Sequence, residues 1–489
     1  MAAWTAAAGM LGSAAYTRMR AENPSEFMPR RVLLSHAGLE NEIDRGNSFW
    51  VKAALVYESV TGDHVDDHTR HLSRDLLLNL AAYCCPHVHP DPSPRRPQAL
   101  SEGIDNKRKK TVVVKSIILE SLFEKDKKKA EDDQLAKRTQ HPDEGTEENK
   151  QVIDAIFLVV GFLPRLTKAA ATGGGKGAAA AAARRDAVDE SFKATHMQDI
   201  VTDVIKLENQ LPIKHLLAVA DLAEAAVHAA AGDIPGLKDD VAKALREYKL
   251  GFARANFDGV IRSFCSYYSP FFSKDEQAKK PDDAAISGEL TLLDCLHASL
   301  VPPSSEAGGG AGGVKGGKTS RIPTAKELRR SGVRLEAGVE DGRAVVQFKE
   351  DAATLRLPAL VFDFKLATVA RNLLARELEE QSKPVTRYFQ LMNELVEEVA
   401  DVRILRRAGV VRGGSRGAGE VHELIKKIDG YATYPSVFMA MDVQVEKVKV
   451  FHEKRMNNFF VRYRPAIVAA SSVVAASVVA IVATRKKRG

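Results

Sequence analysis

The sequence predicts a mainly α chain with a small antiparallel β element. This is an α+β fold in which one large helical domain is closed by one C-terminal transmembrane helix. Three observations predict it. Apolar residues recur at helical spacing, as in Ile200, Val204, Leu207 and Leu211, and in Leu391, Met392, Leu395, Val399, Val402 and Leu405. Three strand-like runs, Val333–Glu336, Ala344–Lys349 and Thr354–Leu360, surround an Asp341-Gly342 turn signal. Ala466–Ala483 is a run of Ala, Val, Ile and Ser without a charge, about 27 Å long as a helix and close to the thickness of a bilayer's hydrocarbon.

Composition sets the outer limits. The chain has 489 residues, 45% hydrophobic and 28% charged, which describes a globular protein. The net charge of +7 sits largely in short runs, Lys107–Lys110, Lys127–Lys129 and Arg485–Arg488. Such runs favour solvated or membrane-apposed segments over a continuous groove for nucleic acid, so no nucleic-acid partner is expected. The four cysteines, Cys84, Cys85, Cys265 and Cys295, are too few for a disulfide framework in this length.

Taken in order, Met1–Tyr16 lacks the early basic residues of a secretory signal or transit peptide and reads as an extension. Phe49–Ala82 reads as helical, with Leu76, Leu77, Leu80 and Ala81 apolar. His64, His68 and His71 fall at i, i+4 and i+7 beside Asp66 and Asp67. Imidazoles one turn apart can share a metal ion, but a solvated helix face accounts for them more simply. Cys84-Cys85-Pro86-His87-Val88-His89 lacks a second Cys/His pair, so no metal site is assigned. Asp154–Leu166 is an apolar core segment, too short to span a membrane.

In the central stretch, Lys206-Leu-Glu-Asn-Gln-Leu-Pro212, the proline ends or kinks the helix running from Met197. Glu208, Asn209 and Gln210 then stand where their side chains can bond the backbone groups that the break frees. A capped corner of a helical core is the expected role, ahead of a ligand site. Further on, Phe252, Phe257, Ile261, Phe264 and Tyr268 are core candidates over Val241–Phe272. Leu292, Leu293, Leu296 and Leu300 line a helix over Glu289–Leu300.

Gly312-Gly-Val-Lys-Gly-Gly317-Lys318-Thr319 fits the phosphate-binding loop pattern letter for letter. That chemistry needs a strand before the loop and a helix directly after it. The preceding Pro/Gly-rich run cannot be a buried strand, and Pro323 interrupts the helix, so the match is set aside. Pro323 or Thr324 instead starts a helix that Gly332 ends. Tyr388–Ala408 reads as one amphipathic helix. Its Glu394, Glu397, Glu398 and Asp401 suggest general-acid work only on paper; with Arg403, Arg406 and Arg407 nearby they read as a salt-bridged outer face.

Several blocks carry a family resemblance. Asp199-Ile-Val-x-Asp-x-Ile-Lys-Leu-Glu-Asn-Gln-Leu-Pro212, the opening Asn23-Pro-Ser-Glu-Phe-Met-Pro29, Ile322-Pro-Thr-Ala-Lys-Glu-Leu-Arg-Arg-Ser-Gly332, Leu357-Pro358 with Asn372, and Asp401-Val402 resemble the plant DUF247 family, putative membrane proteins of the UPF0481 type. The motif residues carried over are Leu207, Glu208, Asn209, Gln210, Leu211, Pro212, Ile322, Pro323, Leu328, Gly332, Asn372 and Asp401. The departures are Val32–Gly38 in the opening block, Val160-Gly161-Phe162 in the hydrophobic block, Leu378 after Glu377, and Ala466 after Pro465. The basic tail departs as well.

The resemblance implies a domain over 18–464, with flexible inserts near 90–111, 124–150, 169–186, 302–320 and 412–419. A span at 465–484 and a basic tail at 485–489 follow. The span rests on Pro465, Ala466, Ile467, Val468, Val473, Val474, Val478, Val479, Ile481 and Val482. Within it, Ser472, Ala476 and Ala480 form a small-residue stripe suited to helix–helix association. The implied protein is single-pass in the plasma membrane or an endomembrane, non-catalytic and without cofactor. Some grass members of the family are associated with self-incompatibility. That association implies recognition or signalling through an unknown protein partner, with developmental or stress roles as other processes. The competing readings are a nucleotide- or metal-dependent enzyme and a cytosol-facing tail-anchored scaffold. The basic tail favours an exterior domain, whereas insertion without a signal peptide favours a cytosolic one.

Overall fold

The computed structural model describes residues 11, 13–34, 45–62, 64–66, 69–84, 147–172, 183, 197–234, 236–250, 257–274, 290–302, 321–338, 342–413, 417–428, 433 and 435–457. Its helices, numbered here in chain order, start with α1 (Ala14–Glu22), α2 (Pro24–Phe27), α3 (Arg45–Thr61) and α4 (Arg70–Cys84). Next are α5 (Glu147–Ile156), a π segment (Phe157–Phe162) and α6 (Leu163–Thr172). The central block supplies α7 (Met197–Ile205), a 3₁₀ turn (Leu207–Asn209) and α8 (Ile213–Asp233). Then come α9 (Asp239–Glu247), α10 (Phe257–Tyr268), α11 (Leu292–Leu300) and α12 (Ala325–Arg330). After the strands follow α13 (Leu366–Arg376), α14 (Pro384–Leu395), α15 (Val399–Arg407), α16 (Ala418–Ile428) and α17 (440–457). The mainly helical α+β class stands.

One hydrophobic core runs through all of these elements. The helix α3 packs on the π segment and on α4, and α8 packs on α4, α5 and α9. The π segment is buried along its whole length. Its Gly161 is what lets the backbone of α3 come close: a Cβ there would stand 3.2 Å from both Val56 Cγ2 and Val56 N. The opening helix α1 is part of the core as well. Tyr16, assigned to an extension by sequence, is buried and stacks edge-on against Phe27 at 5.4 Å.

The sheet differs from the expected antiparallel one. Strands β1 (Arg334–Gly338), β2 (Gln347–Lys349) and β3 (Thr354–Pro358) lie in the order β1-β3-β2. The β1–β3 pair is parallel, with Leu335 opposite Leu355, and β2–β3 is antiparallel, with Phe348 opposite Leu355. Burial explains the order. Leu355 and Leu357 are both fully buried, so β3 takes the centre, while Gln347 and Lys349 are exposed and suit an edge. β1 and β2 are therefore not hairpin neighbours, and Asp341 of the expected turn lies outside the described residues. A second, two-stranded parallel pair joins β4 (Leu360–Val361) to β5 (Val411–Arg412).

Two long helices expected from periodicity are each broken. Phe49–Ala82 divides into α3 and α4 around Gly62, whose φ is +81°. Tyr388–Ala408 divides into α14 and α15, because Glu398 is extended and caps the second helix in a reciprocal box with Asp401. The expected starts and stops around Thr324 and Gly332 do form. Thr324 and Glu327 make a capping box, and Gly332 has φ +84°.

Among the described residues, no helix is long and apolar enough to cross a membrane. The expected span from Pro465 to Val482 lies outside the described residues, as do Gly312–Thr319, Cys85–His89 and Lys107–Lys110.

Candidate functional site

The central block is a corner of the core, built from the backbone outward. The helix α7 ends at Ile205 because Lys206 turns extended, with φ −66° and ψ 135°. Pro212, also extended, then leads into α8. The end of α7 frees carbonyls, and the amides of the block take them. Asn209 Nδ2 donates to Asp203 O at 2.9 Å, and Gln210 Nε2 donates to Val204 O and Lys206 O, each at 2.9 Å. This is the capping role expected for these side chains. Leu207 and Leu211 complete the apolar stripe with Ile200 and Val204.

The same residues reach across the fold. Leu207 N donates to Asn372 Oδ1 on α13 at 2.7 Å, and Asn372 Nδ2 donates to Glu26 O at 2.8 Å. Gln210 Oε1 accepts from Leu293 N in the first turn of α11 at 3.0 Å. Glu208 Oε1 accepts from Tyr16 Oη and Arg20 Nε, each at 2.5 Å. Burial, and then the Glu208 carboxylate, push the Tyr16 phenol well above its usual pKa. Beside this corner, burial lowers the Arg371 guanidinium while Glu26 and Glu22 raise it; burial prevails.

What the block holds is the segment 28–34, which bends at Met28, Arg30 and Arg31. The Asp203 carboxylate, fully buried, accepts from Arg30 N at 2.9 Å, Arg31 N at 2.6 Å and Val32 N at 3.0 Å. Lys206 Nζ balances it at 2.8 Å and also donates to Met28 O at 2.7 Å. Leu33 N donates to Ser48 Oγ at 3.0 Å, and Leu34 N donates to Asn209 Oδ1. Asn209 Nδ2 completes the set by donating to Val32 O at 2.7 Å. Lys52 Nζ donates to Leu33 O at 2.5 Å and pairs with buried Asp154. Every backbone N–H from Arg30 to Leu34 is thus satisfied by a side chain, as the buried N–H groups of Val32–Leu34, which lie in no strand, require.

A second motif cluster gathers around Asp401. Asp401 joins two helix starts: Oδ1 accepts from Lys326 N at 2.9 Å, and Oδ2 accepts from Glu398 N at 2.9 Å and Glu397 N at 3.1 Å. Ile322 and Leu328 are buried beneath it, and Ile322 N donates to Glu394 Oε2 at 3.3 Å. Pro323 stands half-buried just before the Thr324 cap. Two of the cations facing these carboxylates come from other parts of the chain, and Arg387 shares α14 with its partner Glu394. Glu394 pairs with Arg387 at 3.2 Å, Glu397 with Arg321 at 3.7 Å and Glu398 with Lys326 at 2.9 Å.

Several anchoring groups are not among the motif residues carried over. Glu377, fully buried, accepts from Val385 N at 3.1 Å, Thr386 N at 2.7 Å and His297 Nε2 at 2.8 Å. Arg387 Nε pairs with Asp442 at 2.7 Å and docks α17. The available signal was a charged residue inside an apolar run: Lys52 after Val51, Asp154 after Ile153, Asp203 before Val204.

The histidines do not form one face. His64 lies in the connection after α3, exposed, 3.2 Å from Glu58, whereas His71 is exposed on α4; His68 lies outside the described residues. Among the described residues, no group of three or more His, Cys, Asp or Glu side chains is placed to hold a metal ion. A recess of about 340 Å³ opens nearby, lined by Trp50, Val51, Ala54, Glu58, Val65, Asp66 and Arg70. The Arg70 guanidinium lies 4.4 Å from the Trp50 ring centroid.

Comparison with known proteins places these clusters in a family context. The sequence pattern of DUF247, described as a plant protein of unknown function, matches residues 149–484. A UPF0481 protein of Arabidopsis thaliana is 32% identical over 105 residues. That match covers 21% of this chain and only 20% of the relative's length. No solved structure matches.

Proposed function

Because the chain belongs to the DUF247 family of plant proteins of unknown function, we propose that it is a membrane-anchored, non-catalytic protein that acts in recognition or signalling through protein contacts. One observation carries the reading: the side chains of the central block bond the chain itself, Asn209 and Gln210 its backbone and Glu208 the side chains of Tyr16 and Arg20. Asn209 and Gln210 cap α7 and bind the segment 28–34 and α11, and Glu208 binds α1. Asn372 and Asp401 do the same for their elements. Motif residues with that use maintain a shape, and a maintained shape suits a protein whose output is an interface.

The anchor is the uncharged run Ala466–Ala483, bounded by Pro465 and by Arg485–Arg488. It belongs to the plasma membrane or an endomembrane, with Ser472, Ala476 and Ala480 available for association with another membrane helix. The test is protease protection of an N-terminally tagged chain on sealed plant microsomes, with a carbonate wash as control. Carbonate resistance with a protected tag is the expected result and supports recognition outside the cytosol. Release by carbonate overturns the anchor. A digested tag on a carbonate-resistant chain turns the reading into an intracellular scaffold. Nucleotide binding by the wild type that Lys318→Ala abolishes would replace it with an enzyme.

A further inference from the structure

Of the five large hydrophobic side chains exposed among the described residues, four lie between Val437 and Val450: Val437 (40% exposed), Phe438 (42%), Val443 (39%) and Val450 (56%). The fifth, Leu222, is far away in sequence on α8. Val443 and Val450 stand two turns apart on one stripe of α17, with exposed Lys447 and Lys454 between and beyond them. The opposite face of α17 is firmly seated. Met441, Val445, Val448 and Phe451 are buried, and the Phe451 ring lies 5.4 Å from that of Phe348. Gln444 Oε1 accepts from Phe348 N at 3.1 Å, and Asp442 holds Arg387. A stripe that alternates valine and lysine, bordered by Glu446 and Glu453, is therefore presented outward by a helix that is fixed to the domain.

We infer that this outward face of α17, with Val437 and Phe438 before it, rests on the headgroup region of a lipid bilayer. The inference rests on the membrane-anchored reading above and adds where the domain meets the membrane. The order of residues names the occupant. Only residues 458–465 separate α17 from the uncharged run, a reach of about 29 Å at most. Those residues are Asn458, Phe459, Phe460, Val461, Arg462, Tyr463, Arg464 and Pro465, aromatic and arginine residues interleaved. Aromatic rings belong at the membrane–water boundary, and cations there are drawn to anionic headgroups. Exposed Val and Phe flanked by lysines whose stems can lie along an apolar surface fit the same layer. The domain then sits against the bilayer, and its free surface for partners is the side away from α17.

The test uses the full chain reconstituted into vesicles of phosphatidylcholine and phosphatidylserine. A nitroxide is attached at Val450→Cys in a Cys85→Ser background, since Cys84, Cys265 and Cys295 are buried. A second label at exposed Lys243→Cys on α9 reports the water side. The expected result is more collision with dissolved oxygen and less with a water-soluble nickel chelate at Val450 than at Lys243. Replacing phosphatidylserine with phosphatidylcholine weakens the difference. A water-like Val450 label on a carbonate-resistant chain overturns the inference and leaves the anchor intact. A chain that carbonate releases overturns both. Dipolar broadening between Val450 labels on separate copies overturns the inference in favour of a second copy as the occupant.

Discussion

Asp203 and Arg31 stand 172 residues apart in the chain and 2.6 Å apart in the fold, carboxylate oxygen to backbone N–H. The contact is one of several by which Asp203 holds 30–32, with Lys206 as its counter-charge. Removing one member of such a buried pair leaves the other charge without compensation. Asp203→Ala is expected to cost about 3–5 kcal/mol of unfolding free energy in denaturant titration. The double variant Asp203→Leu, Lys206→Met should be less damaging than the sum of the two single ones, because it strands no charge.

Asn209→Ala removes two donated bonds, to Val32 O and Asp203 O, and the acceptor of Leu34 N. Leaving those groups buried and unpaired costs about 1–3 kcal/mol each before relaxation. The segment 28–34 should therefore open ahead of the rest. Limited proteolysis followed by mass spectrometry should show new cuts between Met28 and Leu34 while α13 to α15 stay intact.

Gly161 and Gly259 should respond in opposite directions to alanine. A Cβ on Gly161 would meet backbone of Val56 at 3.2 Å, and that backbone belongs to a packed helix. Gly161→Ala is expected to lower stability by about 1–3 kcal/mol, and Gly161→Val by more. Gly259 lies in α10 with nothing within 4 Å of a Cβ. Gly259→Ala should raise stability by up to about 1 kcal/mol, the ordinary helix preference for alanine. Thermal unfolding of both variants decides the matter.

Buried tyrosines predict an alkaline limit. Burial pushes the Tyr248 phenol up to about 12, with Ser59 acting weakly the other way. It also raises Tyr388, whose hydroxyl donates to Pro358 O at 2.6 Å. In the unfolded chain a phenol loses its proton near pH 10. Above that pH the folded state holds more protons than the unfolded one, so stability is intact below pH 10 and falls as pH rises from about 10 toward 12. Denaturant midpoints measured along that range should drop, and Tyr388→Phe should flatten the drop.

The local signals were legible. The Thr324 start, the Gly332 stop, the Leu292–Leu300 face and the break before Pro212 each rest on residues within about one turn of each other. Asn209 and Gln210 were legible as caps for the same reason. The break at Val396–Glu398 was hidden, because apolar spacing continues across it, whereas Gly62 and the polar residues after it do signal the break after α3. The strand order was hidden as well. Alternation marks a strand but not its neighbour, and β3 came between β1 and β2 through the burial of Leu355 and Leu357.

By itself the sequence determined a mainly helical chain with a small sheet, the position of the central corner, and membership of a family through ordered motif blocks. Only the tertiary structure decided what that corner is for. Periodicity and capping act over three or four residues. The hydrogen-bond demand of the segment 28–34, buried at Val32–Leu34, is met by Asp203, Lys206, Asn209, Ser48 and Lys52, which chain topology alone brings together. A side chain's partner at that distance is selected by which backbone groups are left without one after packing, a quantity that no short stretch of sequence contains.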